Sequence, residues 1–220
     1  MWHIIGDYFV KILCVSDMVP PQMESAVNLR RRYSDIDLII SCGDLPSVYL
    51  EFLTSVLTVP MFYVRGNHDE HYDESPPGGD NLHRRIVNYN GLTLAGLEGS
   101  IRYNKGKIQY TDAEMMMMVL QMGPQMRLRR MMQGFGVDIF VTHSPAKGIH
   151  DAQDLPHHGF PSFLRFLDWY RPRYMIHGHV HTYDRRNTVR TEYNDTTILN
   201  INPVTVLEIE PLKKDQKETE

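Results

Sequence analysis

The stretch Met61-Phe62-Tyr63-Val64-Arg65-Gly66-Asn67-His68-Asp69 carries a structural signal and a chemical one side by side. Four apolar residues without alternation predict a strand covered on both faces, as in a parallel sheet flanked by helices. Gly66 then frees the chain to turn, and the next three side chains can each bind a metal or carry a proton. Two earlier runs repeat the pattern. Val10 to Val15 ends at Ser16-Asp17, and Ile36 to Ile40 ends at Gly43-Asp44, with one helix expected to open at Pro20-Pro21 and run through Ala26, Leu29 and Arg30 to Arg32 toward Ser34, and another over Val48–Leu57. Asp17 and Asp44 are 27 residues apart, and Asp44 and Asn67 are 23 apart, close to the ~30 residues of a βαβ unit.

Downstream the rhythm changes and then returns. Asp73 to Asp80 is predicted as a loop, and Ile86 to Leu97 as a hairpin turning at Asn90-Gly91. Thr111 and Glu114 form a capping-box pattern, so a helix is expected to start there. Gly123-Pro124 is expected to end it, with a second helix over Gln125 to Gln133. Met115 to Met118 suit either adaptable core packing or a partner or lid surface. Val137 to Val141 leads into Thr142-His143. A helix over Pro161–Tyr170 precedes Tyr174-Met175-Ile176, which ends at Gly178-His179-Val180-His181. Two late strands are expected over Thr197–Ile201 and Val204–Ile209, followed by a frayed charged tail, 212–220. The whole chain, 1–220, is expected to form one α/β domain, with 70–133 shaping a substrate pocket.

Composition narrows the function. Apolar residues at 42% and charged residues at 23% exclude disordered and low-complexity classes. Two cysteines exclude a disulfide scaffold and fit a reducing compartment. The N-terminus lacks a basic start followed by a long apolar stretch, and no run approaches ~18 apolar residues, so a cytoplasmic protein without a membrane partner is expected. A net charge of −4 argues against a nucleic-acid partner. The unusual count is 11 histidines.

In open α/β sheets, ligands bind beyond the carboxyl ends of the strands. Asp17, Asp44, Asn67, His143, His179 and His181 all follow strand-like runs, so they are expected to converge. Oxygen and nitrogen donors without thiolate suit manganese, iron or zinc better than calcium or a cysteine-rich zinc site.

This series of motifs, from Asp17 through Gly43-Asp44, Gly66-Asn67-His68-Asp69 and Thr142-His143 to Gly178-His179-Val180-His181, resembles the calcineurin-like metallophosphoesterase superfamily. The resemblance implies a sandwich of two mixed β-sheets flanked by helices, with two divalent metals, manganese or iron first and zinc as an option. Asp44 would bridge them. Asp17 and His181 would bind the first ion, and Asn67, His143 and His179 the second. His68 would act as general acid, with Asp69 orienting it. The family's first motif is usually Asp-x-His, and here Val19 occupies the histidine position, so a weaker first site is expected. Arg102, after Gly99-Ser100, is a candidate phosphate contact.

The implied activity is phosphoester hydrolysis by a metal-bound hydroxide attacking in line. Phosphodiesters come first, because His68 can protonate a poor leaving group. Phosphomonoesters, phosphoproteins and a non-catalytic metal-binding scaffold are the alternatives. The expected substrate is a small-molecule or nucleotide-type phosphoester. Of the other histidines, His177 is expected to lie buried under the site. His157 and His158 could line the pocket, and His3, His71, His83 and His150 are expected to be structural or surface residues.

Overall fold

The computed structural model describes residues 9–181 and 189–211. His3 and the charged tail 212–220 lie outside the described residues.

The chain begins with a parallel arrangement: β1 (Val10–Val15), α1 (Ala26–Arg32), β2 (Leu38–Ser41), α2 (Ser47–Leu57) and β3 (Met61–Tyr63), with the short β4 (Asp80–Asn81) beside β3. The hairpin follows as β5 (Ile86–Tyr89) and β6 (Leu92–Leu97), turning at Asn90-Gly91, both at positive φ. Next come the small pair β7 (Ser100–Ile101) and β8 (Gln109–Tyr110), α3 (Asp112–Gln133), β9 (Ile139–Thr142), α4 (Pro161–Tyr170) and β10 (Tyr174–His177). Three strands close the chain: β11 (Val189–Tyr193), β12 (Thr196–Asn200) and β13 (Val204–Ile209).

Two mixed sheets result. The first runs β13-β1-β2-β3-β4, with β13 antiparallel to β1 and the others parallel. The second runs β11-β12-β10-β9-β6-β5, parallel at its centre and antiparallel at both edges. This is the sandwich of two mixed sheets flanked by helices that the family resemblance implied.

The apolar runs build it because neighbouring strand residues face opposite sides. On β1, Ile12 and Cys14 enter the core between the sheets, where they join Ile40, Phe62, Leu94, Val141, Ile176 and Leu199. Leu13 and Val15 face outward onto Leu29, Leu50 and Leu53 of α1 and α2. The second sheet divides likewise, with Phe140 and Met175 facing α3 and α4. The central strands β1, β2, β3, β9 and β10 are buried on both faces, which explains the unbroken apolar runs. A fully buried Leu, Ile or Phe contributes about 1.5–3 kcal/mol here.

One expectation fails. Gly123-Pro124 does not split the segment, because α3 runs unbroken from Asp112 to Gln133 with Pro124 inside it. Met115, Val119, Met122 and Met126 are buried along one face. Gly123 lets the helix lie against Tyr170, since a Cβ there would come 2.7 Å from its hydroxyl. Packing along this face outweighs the ~3 kcal/mol that an internal proline costs. The methionines divide between both expected roles: Met115, Met122 and Met126 are core, and Met117, Met131 and Met132 are exposed.

Candidate metal centre

The carboxyl ends of β1, β2, β3, β9 and β10 open at one end of the sandwich, across the seam between the sheets. The turns there are unusual. Asp17, Asp44 and His179 adopt φ of 62°, 55° and 70°, a left-handed conformation that costs non-glycine residues of order 1–3 kcal/mol each. Asp and His are among the residues that tolerate it best. The strained turns aim these side chains back across the strand ends. Two glycines make room for them. A Cβ on Gly66 would overlap the Asp44 carboxylate, and a Cβ on Gly178 would overlap the Ser16 hydroxyl and the Asp17 carboxylate.

Hydrogen bonds set each donor atom. His143 is fully buried, and its Nδ1 lies 2.8 Å from the Cys42 carbonyl oxygen, to which it donates. Its Nε2 is therefore the ring atom left to face the site. That atom faces Asn67 Oδ1 at 3.1 Å and Asp44 Oδ2 at 3.3 Å. His179 Nε2 donates to the Pro156 carbonyl oxygen at 2.7 Å, which leaves Nδ1 as its lone-pair atom. The His143 and His179 rings are 4.7 Å apart. Ligand atoms of Asp44, His143 and His179 all lie within 4.8 Å of one another.

Asp17 is held by the backbone N–H of His179, 2.9 Å from its Oδ2. His181 Nε2 lies 4.0 Å from Asp17 Oδ1 and is half exposed. The backbone N–H of His68 donates to Asp44 Oδ1 at 2.9 Å. All six metal-ligand candidates read from the sequence therefore meet at one place.

Charge follows from this packing. Burial pushes His143 down, but the carboxylates of Asp44 and Asp17 outweigh it and raise its pKa to about 9. Burial pushes Asp44 up, yet His143 and the His68 N–H hold it well below the usual carboxylate range. Burial lowers His179 to about 3, with His143 adding to the effect. A proton on His143 Nε2 sits between Asp44 and Asn67, and once it leaves, three acceptor atoms point at one place. This donor set fits a divalent cation.

Beneath the site His177 is fully buried, as expected. Its Nδ1 donates to the Gly178 carbonyl oxygen at 2.9 Å, so its Nε2 accepts from His150 Nδ1 at 3.0 Å. His150 Nε2 in turn lies 2.8 Å from Thr191 Oγ1. Burial holds both rings below their ordinary pKa.

A cavity of about 330 Å³ opens over the site, lined by Asp17, Asp44, Asn67, His68, Tyr103, His157, His179 and His181 among others. A larger cavity of about 630 Å³, around Asn88, Thr93, Arg129 and Asp138, lies at the opposite strand ends and gathers no ligand cluster among the described residues.

Two placements differ from expectation, those of Arg102 and Asp69. Arg102 does not line the site cavity. Its guanidinium holds both carboxylate oxygens of Glu114, at 2.9 and 3.0 Å, and so braces the capping box of α3. Asp69 does not hold His68. Its Oδ2 accepts from the backbone N–H groups of Asp44 and Gly66, each at 2.8 Å. Val19 packs against the outer core of the first sheet, so nothing replaces the absent histidine from that position. Sequence reasoning missed Tyr103, which stands next to the residue it did choose.

The calcineurin-like phosphoesterase family model matches residues 10–183. The chain belongs to the calcineurin-like phosphoesterase family. Among solved structures, this phosphoesterase-family chain is similar to TT1561 of Thermus thermophilus, at 14% identity and a TM-score of 0.57 over 92% of this chain and 99% of that one. It is also similar to GAP50, the anchor in the inner membrane complex of Plasmodium, at 13% identity and a TM-score of 0.50 over 88% and 71%. At such identities the likeness is one of fold. No protein of curated function matches. No helix among the described residues is long and apolar enough to cross a membrane.

Proposed function

We propose that this protein is a divalent-metal-dependent phosphoester hydrolase that favours phosphodiesters. The observation that carries the reading is the convergence of Asp44 Oδ2, Asn67 Oδ1 and His143 Nε2 beside a cavity that His68 lines. On this reading Asp44, Asn67, His143 and His179 would hold one ion, and Asp17, His181 and Asp44 would hold a second, more weakly, because Val19 supplies no ligand. Manganese or iron suits the donors best, with zinc third.

Such ions, when bound, neutralise phosphoryl charge and lower the pKa of a water. The chain's own groups do the rest. His68 is exposed, with its backbone N–H fixed on Asp44. Its ring delivers a proton to the departing ester oxygen as the phosphorus–oxygen bond breaks. An alkoxide leaving from a diester needs that proton most. A cavity of about 330 Å³ suits a small-molecule or nucleotide-type phosphoester. Buried, unpaired Cys14 and Cys42 support a cytoplasmic setting.

The test is manganese-dependent hydrolysis of bis(p-nitrophenyl) phosphate, compared with p-nitrophenyl phosphate and a phosphopeptide. Diester turnover should dominate. It should fall at least about 100-fold in Asp44→Asn and in His68→Ala, the range of a lost acid–base group. The turn of Val19 into the core favours one second reading, a non-catalytic metal-binding scaffold. Protein that binds metal but hydrolyses none of the three substrates would establish that reading instead.

A further inference from the structure

Asn67 has two nearly isosteric ends, an oxygen that can bind a metal and an NH2 group that cannot. Rotating the amide by half a turn would exchange them and remove a ligand. Something must therefore fix which end faces His143. Asn67 is 5% exposed, so its amide is set mainly by protein neighbours. Its Nδ2 donates to the phenol oxygen of Tyr103 at 3.1 Å, while its Oδ1 faces His143 Nε2 at 3.1 Å.

Tyr103 is well placed to hold that end. It sits in the connection between β7 and β8, which is pinned along its length. The buried side chain of Gln109 accepts the backbone N–H groups of both Tyr103 and Asn104 at 3.1 Å. The Gly106 N–H closes on Asn104 Oδ1 at 2.8 Å. The Lys107 N–H donates to Glu70 Oε1 at 2.8 Å, which ties the connection to the segment just after Asp69. The phenol oxygen is thus held on the cavity wall facing Asn67, where it accepts from Nδ2.

We propose that Tyr103 is a positioning residue that sets the Asn67 amide with its oxygen toward the metal. The inference rests on the metal-dependent reading above. Partners of metal ligands at one remove are typically worth 10–100-fold in affinity. Tyr103→Phe deletes the acceptor and keeps the ring.

The test compares wild type with Tyr103→Phe by calorimetric titration of the metal-free full chain with Mn²⁺, and by visible absorption of the Co²⁺-loaded protein. Tyr103→Phe should bind Mn²⁺ about 10-fold more weakly at the tighter site and shift the Co²⁺ bands, with the metal-free melting temperature unchanged. Tyr103→Leu, which also lacks the hydroxyl, should match it. Wild-type affinity and an unaltered Co²⁺ spectrum in Tyr103→Phe would overturn the inference alone. A parallel drop in metal-free melting temperature would also overturn it, by marking a merely structural role. Wild-type protein that takes up neither metal would bring down the functional reading, and this inference with it.

Discussion

The Asp69 carboxylate sits 2.8 Å from the backbone nitrogen of Asp44, 25 residues earlier in the chain. The same oxygen takes the N–H of Gly66 at 2.8 Å. One side chain therefore closes both the turn after β2 and the turn after β3. It does so from a site 1% exposed, with the Asp44 carboxylate nearby. Burial, then the charge of Asp44, raise the Asp69 pKa to about 6.

That shift has a definite sign. The folded chain holds the Asp69 proton more tightly than the unfolded chain, whose aspartates titrate near pH ~4. The stability this confers is complete below about pH 4 and is lost as pH rises through about 6. Asp69→Asn keeps an acceptor without the charge. Metal-free Asp69→Asn should be more stable than wild type by about 1–3 kcal/mol at pH 8, with the difference gone near pH 4. Urea unfolding at the two pH values measures this. An equal difference at both would contradict it.

Metal affinity should depend on pH through His143. Its Nε2 proton, held up to about pH 9 by Asp44 and Asp17 against the effect of burial, occupies the place a metal would take. Apparent Mn²⁺ affinity should therefore fall about tenfold per pH unit from pH 9 to pH 7. Titrations at pH 7, 8 and 9 read the slope directly, and a flat profile would refute the assignment of His143 as ligand.

Gly178→Ala tests the close approach of two loops. The added Cβ has no room beside Ser16 and Asp17. Thermal unfolding should reveal a loss of about 1–3 kcal/mol, the usual cost of overpacking. Metal retained after dialysis should drop with it. A variant as stable and as metal-rich as wild type would mean that the loops separate freely.

Pro124→Ala tests the helix that was expected to break. Pro124 is exposed and lies inside α3. Restoring the N–H should add about 1–3 kcal/mol and raise the melting temperature by about 2–4 °C for each kcal/mol. A fall in melting temperature would show that the proline is favourable where it stands.

These predictions lean unequally on the sequence. The strands ending at Asp17, Asp44, Asn67, His143 and His179 were legible because residues buried on both faces leave unbroken apolar runs. The turn at Asn90-Gly91 and the cap at Thr111 and Glu114 were legible because their chemistry is local. α3 was misread because local propensity at Pro124 lost to packing from elsewhere in the chain. β11 was missed, although Val189, Thr191 and Tyr193 alternate with Arg190 and Glu192. Its alternating half-buried and exposed residues mark an edge strand rather than a core run. The partners of Arg102, Asp69 and Tyr103 lie up to 36 residues away, and no spacing rule connects them.

The seam location of the centre bears on the order of folding. Asp17 meets His179 across 162 residues, and Asn67 meets His143 across 76. Contacts of such range carry a high loop-closure cost and are expected to form late, once both sheets have assembled. A cation has nothing to nucleate in the early chain and can act only as a clasp on the finished sandwich. Added metal should therefore slow the rate at which the protein comes apart and leave the rate at which it assembles almost untouched.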